Sequence, residues 1–275
     1  MHSSPPHRHG TAGASRWALL LLAAVWAAVG PALAFSPRTR SEIVRRALLL
    51  MPDSLARQLR RHPRELYRGA LERSGDEGVG RHAAPGGAEF ALADEIDRAV
   101  KALDGHAPMR EVARRFGKIA HAAADLAFAL NVGPDDPREA RCYRRFARYI
   151  EQKLPRIKVT FDGFADPHLA AGDPVAFGRS IAAKARRDYE GILRSFFPEG
   201  RRPTAADFDD RSIPFAAASL EVSLAVGATA KAWLYAWHRA HGDLEGAPLG
   251  AGGKANPFEP AGGTAAPEAA KETGP

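Results

Sequence analysis

Apolar positions recur at helical spacing along nearly the whole chain. In "SPRTRSEIVRRALLLMPDSLARQLRRHPRELYRGALE", residues 36–72, Ile43, Ala47 and Leu48 and then Leu55 and Leu59 fall on such a spacing, with Pro52 and Pro63 as breaks. That pattern predicts two or three helices. A glycine-rich loop follows, "RSGDEGVGRHAAPGGAEF", which carries Asp76 and His82, and the helical period resumes from Ala91 to Leu103 through Ile96 and Val100. A further helix is expected from about Pro108 through Leu130, ended by "NVGPDDP". Next comes a helix from about Pro137 to Leu154, basic along Arg138, Arg141, Arg144, Arg145 and Arg148. One long helix is expected over roughly Pro174 to Phe197. Another starts at "DRSIP", where Ser212 can cap and Pro214 sits in the first turn, and runs to about His241. The short run "RIKVTF" at 156–161 is either a strand or an extended connection. With no alternating pattern elsewhere, the fold class is all-α, a single multi-helix domain.

The two ends read differently from this body. Residues 1–34 begin with "MHSSPPHRHGTAGASR", two arginines and no acid, and continue into the apolar run "WALLLLAAVWAAVGPALA". This is the pattern of a secretory signal, with cleavage after Ala32-Leu33-Ala34 and a mature chain starting at Phe35. An uncleaved membrane anchor is the competing reading. The expectation is export, to the periplasm, the cell envelope or the medium. Residues 246–275, rich in Gly, Ala and Pro, are expected to be a disordered tail, which leaves residues 35–245 as the folded domain.

Charge and cysteine content narrow the classes only slightly. The formal charge of +7 becomes +5 once Arg8 and Arg16 leave with the signal. That excess suits a soluble protein or weak attraction to an anionic membrane surface, and it is no specific nucleic-acid signal. Cys142 is the only cysteine, so the domain has no internal disulfide and must be held by its core or by a metal. No P-loop, dinucleotide fingerprint or nucleophile elbow is present. Trp233, Tyr235 and Trp237 read as core, and Cys142 as a buried small apolar residue.

The chemistry lies in "GKIAHAAADLAFALN", residues 117–131. His121 and Asp125 are four apart, so on a helix they share one face within an otherwise apolar stretch. Either they satisfy each other in a core, or they hold something. Together with Asp76 and His82 in the glycine-rich loop, an aromatic mature terminus and an all-helical exported body, this stretch resembles the zinc-dependent phospholipases C and the related zinc single-strand nucleases. The resemblance extends from Phe35 to about Trp237 and is closest in "MPDSLARQLRRHPRELYRGALERSGDEG", "RHAAP" and "RRFGKIAHAAADLAFALN".

That resemblance implies an all-α fold and a zinc site built from Asp76, His82, His121 and Asp125, with Asp76 acting as ligand or as general base toward a metal-bound water. It also implies a chain start that can chelate through the backbone of Phe35. The rest of the family's ligands are missing: Asn131, Tyr143 and Ala147 stand at the positions of a second zinc site, and Arg40 stands where a histidine is expected near the mature start. The expectation is therefore one zinc ion rather than three. The function expected is a single-metal phosphodiester hydrolase acting on a phospholipid or another phosphodiester. The alternative is a pseudoenzyme that keeps the fold to bind a lipid headgroup, an envelope component or a protein. Arg144, Arg145 and Arg148 either pair with phosphate or form a solvated basic face.

Overall fold

The computed structural model describes residues 34–72, 87–134, 139–196, 203–247 and 257–258. The chain divides into two units, residues 1–33 and residues 34–275, and every described residue belongs to the second. The signal expected at 1–34 therefore lies outside the described residues except for its last position, Ala34.

The described residues are all-α and contain no strand. The first stretch forms three helices, α1 (Pro37–Leu48), α2 (Asp53–Arg61) and α3 (Pro63–Leu71). Ser36 caps α1 by accepting the Thr39 N–H at 3.2 Å, and Pro37 occupies the first turn, where no N–H is needed. Then come α4 (Ala88–Asp104) and α5 (Met109–Leu126). The helix expected to continue to Leu130 breaks at Ala127–Phe128 and restarts as α6 (Ala129–Val132). The break lets the Phe128 ring turn inward between Phe35 (centroids 5.0 Å apart) and Tyr143 (4.9 Å), both edge-on.

α7 (Glu139–Lys153) leads into the "RIKVTF" segment, which opens with a turn at Arg156 and is a connection, not a strand. After the short α8 (Pro167–Ala170), the helix expected over 174–197 is two, α9 (Pro174–Arg186) and α10 (Tyr189–Phe196), separated at Arg187–Asp188. α11 (Ile213–Arg239) closes the domain, capped by Ser212 as its sequence suggested. It is long and apolar enough to cross a membrane, but 61% of its most apolar window is buried inside the domain. Trp233 fixes it there: the side chain is fully buried and its Nε1–H donates to the Phe116 carbonyl of α5 at 2.7 Å. In the expected disordered tail, Phe258 is buried against Tyr235 (5.4 Å) and His238 (5.6 Å), so at least this residue joins the body.

Two glycines set how closely α3 and α5 approach. A Cβ on Gly69 would lie 2.1 Å from the Arg114 carbonyl oxygen, and one on Gly117 would lie 2.1 Å from that of Leu66 and 2.9 Å from the Gly69 Cα. Backbone thus rests on backbone, which no side chain can share. Gly117→Ala is expected to force the helices apart and to lower stability by about 3 kcal/mol, at the top of the usual overpacking range. Urea denaturation checks this, and a loss below about 1 kcal/mol would show that the crossing yields easily. The same close approach brings the Ala70 carbonyl to His121.

Candidate functional site

His121 and Asp125 lie one turn apart on α5, as the spacing requires, and His121 Nε2 is 3.1 Å from Asp125 Oδ2. Between them and the start of the domain lies a third side chain. Arg40 points inward from α1, because it shares a face with Ile43, Val44 and Ala47, and it is 2% exposed. Its Nη1 donates to His121 Nδ1 at 2.9 Å, its Nη2 pairs with Asp125 Oδ1, and its Nε donates to the Phe35 carbonyl at 3.3 Å. Arginine has no acceptor, so His121 Nδ1 accepts and the imidazole proton sits on Nε2, toward Asp125. The Ala70 carbonyl lies 3.2 Å from the same Nδ1.

Burial opposes ionisation of Asp125. The Arg40 charge, then the hydrogen bond from His121 and that from Arg40, outweigh it and hold the carboxyl at about 2. A buried cation, a carboxylate and a polarised imidazole therefore form a closed set, with the Asp125 side chain 23% exposed at its edge.

The positions that the resemblance ties to a second zinc adjoin this cluster. Asn131 Nδ2 donates to the Asp125 carbonyl at 3.1 Å, and the Tyr143 hydroxyl donates to Asn131 Oδ1 at 2.6 Å. Two candidate ligand positions thus meet as a neutral amide–phenol pair, while Ala147 is buried and offers no donor atom. Arg144, Arg145 and Arg148 point the other way: they are exposed on the side of α7 opposite Tyr143, which fits a solvated face and not a phosphate clamp beside Asp125.

Asp76 and His82 lie outside the described residues, so only half of the expected zinc set can be placed. Among the described residues, no group of three or more His, Cys, Asp or Glu side chains is arranged to hold a metal. The placed half does not fit zinc. His121 Nδ1, Asp125 Oδ1 and the Phe35 carbonyl already serve Arg40, and an ion on the remaining edge would meet a buried guanidinium at contact range. From the sequence alone, Arg40 stands only as a replaced histidine. Its place on the apolar face of α1 is the signal that it is internal and must be paired.

Comparison with protein-family models, with curated proteins and with solved structures gave no match in any of the three. What the fold and the site define is an all-α domain with an internal arginine–histidine–aspartate cluster joining α1 to α5.

Proposed function

We propose that this chain is an exported, non-catalytic relative of the zinc-dependent phospholipases C, in which a guanidinium takes the part of a metal ion and the domain serves for binding. One observation carries the reading. Arg40 spans the Phe35 carbonyl, His121 and Asp125, groups that the resemblance assigns to metal coordination. Asn131 and Tyr143 meet beside Asp125, where the resemblance puts the ligands of a second zinc, and that placement agrees with the reading. Their chemistry removes the electrophile: neither an amide paired to a phenol nor an arginine saturated by internal acceptors can activate water.

Elemental analysis of the chain beginning at Phe35, purified without chelator, tests this. The expected content is well below one zinc per chain, with Arg40→His, which frees His121 and Asp125 and adds an imidazole, gaining zinc. About one zinc per chain in the wild type, lost in His121→Ala, would instead establish the single-metal hydrolase with Asp76 and His82 as further ligands, and turnover of a chromogenic phosphodiester would then be expected.

A further inference from the structure

The positive charge of this chain is concentrated at one end. Residues 37–72 hold nine arginines, no lysine and four acids. Their net charge of +5 equals that of the whole chain from Phe35, so everything beyond Glu72 sums to zero. Two of the nine are structural: Arg40 is buried, and Arg46 donates to the Ile157 and Leu154 carbonyls. Arg45 and Arg68 are exposed but held by Glu42 and Glu65. The other five, Arg38, Arg57, Arg60, Arg61 and Arg64, are exposed and form no ion pair among the described residues. On α4 the cations are handled differently, Arg98 pairing with Asp94 and Lys101 with Asp97.

These arginines occupy the solvent-facing sides of three consecutive helices. On α1, Arg38, Arg45 and Leu49 follow at intervals of seven and four, so they form a single outward stripe. Leu49, at its end, is 61% exposed. On α2 the apolar residues Leu55, Ala56 and Leu59 face inward and Arg57 and Arg61 face out, and on α3 Arg64 does the same. An open groove of about 360 Å³, lined by Arg38, Arg45 and Tyr67 among others, joins the α1 stripe to α3. The excess is made of guanidinium alone, whose planar fork suits phosphate oxygens better than a lysine point charge does.

We infer that the outer face of α1–α3 docks the domain on an anionic phospholipid surface, with the free guanidinium groups pairing to lipid phosphates and Leu49 entering the interface. An exposed leucine at the end of an arginine stripe suits a surface with an apolar layer beneath its phosphates. A single-stranded nucleic acid would call for exposed aromatic platforms, and the only exposed large aromatic among the described residues, Phe90, is on α4 beside Arg179. The inference deepens the binding role proposed above and rests on that reading for its biological sense, while its readout is independent of metal content.

Vesicle co-sedimentation of the chain beginning at Phe35 tests it, with phosphatidylcholine vesicles against vesicles containing phosphatidylglycerol. Binding is expected only to the anionic vesicles and to weaken with added salt. The triple variant Arg57→Gln, Arg61→Gln, Arg64→Gln should bind them on the order of 100-fold more weakly. Neutralising Arg144, Arg145 and Arg148 on α7 should leave binding within about threefold of wild type, since those groups lie outside the docking face. Equal binding to neutral vesicles, no binding at all, or an equal loss in the α7 variant overturns the assignment. So does tighter binding to a single-stranded oligonucleotide at the same ionic strength.

Discussion

Arg40→Met is expected to lower folding stability at pH 7 by about 3 to 5 kcal/mol, the range for removing one partner of a buried ion pair. For a domain of this size that corresponds to a fall of roughly 10 °C in the thermal midpoint. Methionine replaces the aliphatic part of the side chain, so the loss isolates the guanidinium. Without it, the Asp125 carboxylate, His121 Nδ1 and the Phe35 carbonyl all lose a donor in a site that water reaches only at the Asp125 edge. Arg40→Lys keeps the charge, but one ammonium cannot reach all three acceptors, so an intermediate loss is expected. The pH dependence distinguishes this account from simple loss of packing. A carboxyl held at about 2 in the folded state, against an ordinary 3.8, contributes stability that is present above pH 3.8 and is lost as pH falls toward 2. In Arg40→Met that contribution is gone, and acidification removes the stranded charge by protonating Asp125. The gap between wild type and variant should therefore be widest near pH 7 and shrink toward pH 3. Thermal melts across that range decide it, and a gap that stays constant with pH would mean that the guanidinium acts only as filler.

Much of this architecture is legible in the periodicity, and the parts that are not share a physical cause. The cap and proline announce α11, because those signals are local: Ser212 meets the backbone N–H three residues on, and Ser36 does the same for α1. The pairing of His121 with Asp125 is likewise fixed by one helical turn. The breaks at Ala127–Phe128 and Arg187–Asp188 carry neither proline nor glycine, and the first exists because Phe128 completes an aromatic contact with Phe35 and Tyr143. That is a tertiary demand that no local window contains. Arg40 lies between these cases. Its register on the apolar face of α1 marks it as internal, whereas its partners, 81 and 85 residues away, become evident only once α1 lies against α5. Gly69 and Gly117 follow the same rule, since a glycine inside a helix hints at close approach without saying to what.

Glu221→Gln is expected to stabilise the domain at neutral pH, the opposite sign to the Arg40 change. Glu221 is 1% exposed on α11; its Oε1 accepts the Ala129 N–H at the start of α6 at 3.1 Å, and its Oε2 has no partner among the described residues. Burial pushes its carboxyl well above the ordinary 4.5. The Ala129 N–H pulls the other way, and nearby Asp188, itself raised by burial, adds to the push. A carboxyl raised on folding contributes stability that is fully present below about pH 4.5 and is lost as pH rises toward its folded value, at about 1.4 kcal/mol per pH unit. Glutamine keeps an oxygen for the Ala129 N–H and does not titrate. Its advantage should be near zero at pH 4 and reach a few kcal/mol by pH 7, measured by urea denaturation at each pH. A glutamine variant that tracks the wild type from pH 4 to 8 would show that Glu221 is charged and solvated in the fold. Asp125 and Glu221 therefore limit the domain from opposite sides, one losing stability below pH 3.8 and the other above pH 4.5. The difference between them is that a buried arginine answers the first carboxylate, while a single backbone N–H answers the second.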